Sequence, residues 1–148
     1  MIKIAVLKEQ LEDFFNQHDI NYYYVNKDYK KVSVPIYVLG YKINNSKKSI
    51  PIMITIFKSA SVIYFDCFKM YKINNKRDSI LESVNTLNQY PFLGKFILEE
   101  DNAISYRCII NYSNLNKLNS GLIESILDSV PSAYSMCINV IENRINHE

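Results

Sequence analysis

The run Ile50-Pro51-Ile52-Met53-Ile54-Thr55-Ile56-Phe57 constrains the fold more than any other stretch of the chain. Isoleucine at every second position places four β-branched side chains on one side of an extended backbone. The same spacing would scatter them around a helix. Just before it, Val32, Val34, Ile36 and Val38 alternate with Ser33, Pro35, Tyr37 and Leu39. Just after it, Val62 to about Tyr71 repeats the alternation less regularly. Asn44-Asn45-Ser46 and Ser59-Ala60-Ser61 are the polar connections between these strands. They are too short for a parallel crossover, so the strands form an antiparallel meander. Pro35 has no N–H to give a ladder, which predicts an edge position for the first of these strands. Tyr22–Val25 reads as a short extended piece ahead of it.

Elsewhere the period is that of a helix. Ile4, Leu7, Leu11, Phe14, Phe15 and His18 make one stripe over residues 3–18. Ile80, Leu81, Val84 and Leu87 make another, opened by Asp78 or the capping box Ser79-x-x-Glu82 and closed by Pro91. Lys95–Leu98 and Ala103–Tyr112 read as a hairpin around Glu99-Glu100-Asp101-Asn102. From Ser120 a helix carries Leu122, Ile123, Ile126, Leu127 and Val130. Pro131 predicts a break, with a last helix over residues 132–145. The order α-β-β-β-α-β-β-α implies an α+β domain with an antiparallel sheet of about five strands, and residues 1–148 carry no repeat or linker that would divide it.

Chemistry-bearing patterns are scarce. The chain has no phosphate-binding glycine loop, zinc-protease motif or nucleophile elbow. His18 and His147 lie at opposite ends. Cys67, Cys108 and Cys137 have apolar neighbours and no C-x-x-C, which points to buried reduced thiols. Glu99, Glu100 and Asp101 fall at a hairpin tip, where carboxylates are solvated, and Asp66 reads as an outward-facing strand residue. No catalytic residue, metal or cofactor is expected. There is no stretch of about 18 apolar residues, and the apolar start is broken by Lys8-Glu9-Gln10, so the expected setting is cytoplasmic with no membrane.

The segment Val84-Asn85-Thr86-Leu87-Asn88, followed by Gly94-Lys95-Phe96 and then Ser105-Tyr106-Arg107, resembles the YbjN family of sensory-transduction regulators. That family shares the architecture of type III secretion chaperones. The counterparts here are Asn85 and Asn88, Gly94-Lys95-Phe96, and Tyr106-Arg107. The resemblance implies a secretion-chaperone-like fold, a dimer and no catalytic residues.

Two surfaces stand out as partner sites. Charge is uneven: residues 1–78 carry a balance of +6 and residues 79–148 one of −4, within a net +2. In a meander, Lys42, Lys47, Lys48, Lys69, Lys72, Lys76 and Arg77 gather on one rim, interleaved with Tyr41 and Tyr71. The second surface is a sheet face. Tyr37, Leu39, Met53, Phe57, Tyr64, Phe68 and Met70 are expected opposite the Val/Ile face, and so apolar a face needs cover. The expectation is a non-enzymatic, chaperone-like or regulatory domain that presents a sheet face or groove to another polypeptide and forms a homodimer. The rival readings are a small nucleic-acid-associated regulator using the basic rim, and an enzyme with an unrecognised site.

Overall fold

The computed structural model describes residues 1–42, 49–72, 74 and 76–145. It contains helix α1 (Ile4–Gln17), strands β1 (Tyr22–Tyr29), β2 (Val32–Lys42), β3 (Ser49–Phe57) and β4 (Val62–Lys72), and helix α2 (Arg77–Leu87). Strands β5 (Lys95–Leu98) and β6 (Ala103–Asn111) and helix α3 (Ser120–Ile145) follow. The class is α+β, and the sheet is antiparallel with six strands in the order β1-β2-β3-β4-β6-β5.

The sixth strand is β1, the piece read from sequence as a short extension. It pairs with β2 along its whole length, from Tyr22↔Leu39 to Tyr29↔Val32. The strand holding Pro35 is therefore internal, not an edge. Proline is accommodated because the β2–β3 ladder begins at Ile36↔Thr55, one residue past it, so Pro35 has a strand on one side only. Pro51 repeats the solution. It pairs with Gly40 of β2, while the β3–β4 ladder begins at Met53↔Asp66.

Register settles which side chains share a face. Tyr37 is opposite Ile54 and Leu39 opposite Ile52, so both stand with the isoleucines in the core and not on the second face. Ile63, Phe65 and Cys67 of β4 and Tyr106, Cys108 and Ile110 of β6 complete that side. All three helices lie against it. Phe15 of α1 meets Tyr37 edge-on at 5.6 Å. Ser129 of α3 bonds the Tyr106 hydroxyl at 3.0 Å, and Glu82 of α2 pairs with Arg144 of α3. Burying this sheet face under three amphipathic stripes is the main stabilising term.

Pro131 does not break α3, which runs unbroken from Ser120 to Ile145. The buried positions Ile123, Ile126, Leu127, Val130, Ala133, Cys137 and Ile141 keep one helical stripe through the proline. Packing holds the helix across the hydrogen bond that Pro131 cannot donate. Helix α2 begins at Arg77 with Lys76 as N-cap and no side-chain cap, so the expected capping box is not used.

Candidate functional site: the open face of the sheet

Val34, Ile36 and Val38 of β2 and Met53, Thr55 and Phe57 of β3 point away from the helices. Val34, Ile36 and Val38 stand beside Met53, Thr55 and Phe57, and the pairings Thr55↔Tyr64 and Tyr64↔Ile109 extend the surface across the sheet. Among the described residues no helix covers this side. Tyr23 is 79% exposed, Ile109 55% and Val25 48%. Phe57 and Tyr64 meet edge-on at 4.9 Å. A depression of about 330 Å³ lies between Lys27, Val34, Ile36, Thr55 and Phe57. Its walls are apolar and its one formal charge is the Lys27 ammonium.

Further along the same face the polarity changes. Asp66, 8% exposed, pairs with Arg107 directly across the β4–β6 ladder. The guanidinium also lies 4.5 Å from the centre of the Tyr64 ring. Burial pushes the Asp66 carboxyl above its usual range, with Arg107 pulling the other way. Asp66 points outward, as its place in the strand alternation implies, but it is buried among its strand neighbours and paired.

Of the residues expected to form the partner surface, Met53 and Phe57 are on this face, and Phe68, 46% exposed, lies on β4 past the Met53↔Asp66 end of the β3–β4 ladder with Lys69 over its ring. Tyr37 is not there. It is buried under α1, donates its hydroxyl to Glu12 at 3.1 Å, and is held protonated well above the normal tyrosine range, chiefly by burial.

The basic rim divides differently. Lys47 and Lys48 lie outside the described residues, as does the Lys42 side chain. Lys69 pairs with Asp101 at 2.8 Å and Lys72 reaches the same carboxylate at 3.7 Å. Arg77 donates to the Glu99 carbonyl and to Asn102 Oδ1, both at 2.9 Å. Lys76 is exposed. Lys72 pairs with Ala103 at the start of β6, which delivers the acidic β5–β6 turn to this end of the sheet.

The motif residues behind the family resemblance have local jobs. The Asn88 side-chain amide donates to the Phe96 carbonyl at 2.9 Å and accepts the Phe96 N–H at 2.8 Å. It thereby bonds β5 as a neighbouring strand would. The Gly94 N–H donates to the Tyr106 hydroxyl at 2.9 Å, and Arg107 holds Asp66. Asn85 is exposed.

One further grouping joins residues that the sequence places on two separate helices. A cleft of about 200 Å³ between α1 and α3 is lined by Phe14, His18, Ile20, Glu124, Leu127 and Asp128. His18 stacks on Phe14 at 4.1 Å and donates Nδ1–H to the Phe14 carbonyl. Among the described residues no group of His, Cys, Asp and Glu is arranged to hold a metal, and no helix is long and apolar enough to cross a membrane. No family model, curated protein or solved structure matches the chain.

Proposed function

We propose that the protein is a non-enzymatic binding domain that presents the open sheet face to an extended apolar segment of another polypeptide. The observation that carries this reading is the composition of the face. An antiparallel sheet with one side in water ordinarily alternates apolar with polar. Here the outward positions in the middle of β2 and β3 are Val34, Ile36, Val38, Met53 and Phe57, with Thr55 the one polar residue among them, and the apolar run ends at Ile109 on β6. Contiguous apolar surface of this kind marks an interaction site. Lys27, at the rim of the depression, favours a carboxylate beside the apolar side chain that enters it. The resemblance to the YbjN and secretion-chaperone architecture points the same way. The nucleic-acid reading loses support, because Lys69 and Lys72 are engaged by Asp101 and Arg77 by the β5–β6 turn.

Site-specific photo-crosslinking in the native host tests it. A benzophenone side chain at Val34 or Ile109 should give a discrete polypeptide adduct. The same group at Glu142, on the exposed side of α3, should give none. Phe57→Lys should abolish the Ile109 adduct while leaving the fold intact by circular dichroism. Equal adducts at all three positions, or none on the sheet face, would overturn the proposal.

A further inference from the structure

The two edges of the sheet are treated differently. On β5 the backbone of Phe96 is already occupied by the Asn88 amide, and the Phe96 side chain is only 3% exposed. The strand is also just 4 residues long. On β1 the edge is 8 residues long. Its closing turn fixes which backbone groups face outward. Lys30 and Lys31 both have positive φ, 49° and 67°, the signature of a type I′ turn closing on Tyr29↔Val32. That closing pair is hydrogen-bonded, and bonding then alternates along the ladder. The N–H and C=O groups of Tyr22, Tyr24, Asn26 and Asp28 therefore point away from β2. Pro35 confirms the phase, since it sits opposite Asn26, where β1 asks for no N–H. Among the described residues no loop or turn backbone bonds to these outward groups.

We infer that β1 is a dimer edge, pairing antiparallel with β1 of a second copy about a two-fold axis at Val25. The sequence of the strand is self-complementary in that register. Tyr22 comes opposite Asp28, Tyr24 opposite Asn26 and Tyr23 opposite Lys27, while Val25 meets its own copy. The outward groups named above all fall at hydrogen-bonded pairs. No like charges oppose each other, whereas a register centred on Lys27 would set lysine against lysine. The two six-stranded sheets become continuous, and their open faces lie side by side. Tyr23 of the partner subunit then stands beside Lys27, at the rim of the depression lined by Val34, Ile36 and Phe57. Each copy thereby contributes an aromatic side chain to the other's site. The inference concerns the edge and does not depend on what the open face binds.

Light scattering on the full chain at micromolar concentration should give twice the 17.3 kDa chain mass. Val25→Lys and Val25→Glu each place like charges across the axis and should weaken association by about a hundredfold or more, giving folded monomers. Val25 is half exposed, so both variants should keep the wild-type circular dichroism. An equimolar mixture of the two should restore the dimer by opposing lysine to glutamate. Asn26→Pro, which deletes one outward N–H and none that bonds β2, should also yield a monomer. A monomeric wild-type chain, or a dimer that Val25→Lys leaves unchanged, would overturn the inference. A monomeric wild type that still gives the Ile109 adduct would remove the dimer and leave the binding face standing.

Discussion

A methyl group on Gly94 would lie 2.6 Å from the Arg107 carbonyl oxygen, 2.7 Å from Tyr106 Cζ and 2.8 Å from Cys108 Sγ. The first is backbone in the middle of β6, and the ring is pinned by bonds to Gly94 and Ser129. None of the three can withdraw cheaply, so Gly94→Ala should destabilise the domain by about 1–3 kcal/mol, the usual cost of overpacking. A urea midpoint equal to wild type would show that β5 can slide away from β6. The glycine was visible in the sequence as part of a motif, but its reason was not, because the clash is with residues more than ten positions away. Tyr37 shows the opposite failure. The alternation it belongs to is legible in the sequence, but its face is not. Period 2 sorts a strand into two sets without saying which set is inside, and the valines of β2 were the more persuasive set by hydrophobicity alone. The decision belongs to the cross-strand partners Ile54 and Ile52 and to Phe15 of α1.

At the level of elements, strands with isoleucine or valine repeats and helices with a clean stripe are legible, and β1 (Tyr22–Tyr29) is legible only as the short extension Tyr22–Val25. Its hairpin loop is Lys30-Lys31, where a type I′ turn would ordinarily announce itself with Asn-Gly. Holding two side chains at positive φ stores backbone strain that glycine would not carry. Lys31→Gly should therefore raise stability, by up to about 1 kcal/mol, through the relief of strain at φ 67°. Thermal denaturation reads the sign directly; a lower melting temperature would mean that the lysine contributes more through its surroundings than its backbone costs. The helix α3 illustrates a local rule overruled. Pro131 argued for a break, but the apolar stripe continues in phase from Val130 to Ala133 and Cys137, and buried packing over 26 residues outweighs one missing hydrogen bond.

For the whole molecule, the charge asymmetry along the chain is resolved in space, since the acidic β5–β6 turn folds onto the basic end of the meander and pairs with it. A second global property comes from protons that the fold retains. Burial pushes the thiols of Cys67 and Cys137 up to about 12 and raises that of Cys108. It also pushes the Tyr106 hydroxyl up to about 12 and raises that of Tyr37. In the unfolded chain thiols release their protons near about 8.5 and tyrosines near about 10. Above those values the unfolded state holds fewer protons than the native state, so unfolding becomes easier as pH rises. The stabilisation from these groups is complete below about pH 8.5 and is lost progressively toward about pH 12. Each retained proton contributes a slope of about 1.4 kcal/mol per pH unit once the unfolded group is ionised. The urea midpoint should hold from about pH 7 to 8, fall from about pH 9 as the three thiols ionise in the unfolded chain, and fall more steeply beyond about pH 10 when the tyrosines join. Cys137→Ala should lower the starting stability through a small cavity and yet flatten the first part of the decline by one proton's worth, because the group that links stability to pH is gone. A wild-type midpoint that stays level through about pH 10.5 would overturn this, since it would mean that these thiols and hydroxyls titrate in the native state as they do in water in spite of the burial of Cys67, Cys137 and Tyr37 at 1% exposure or less.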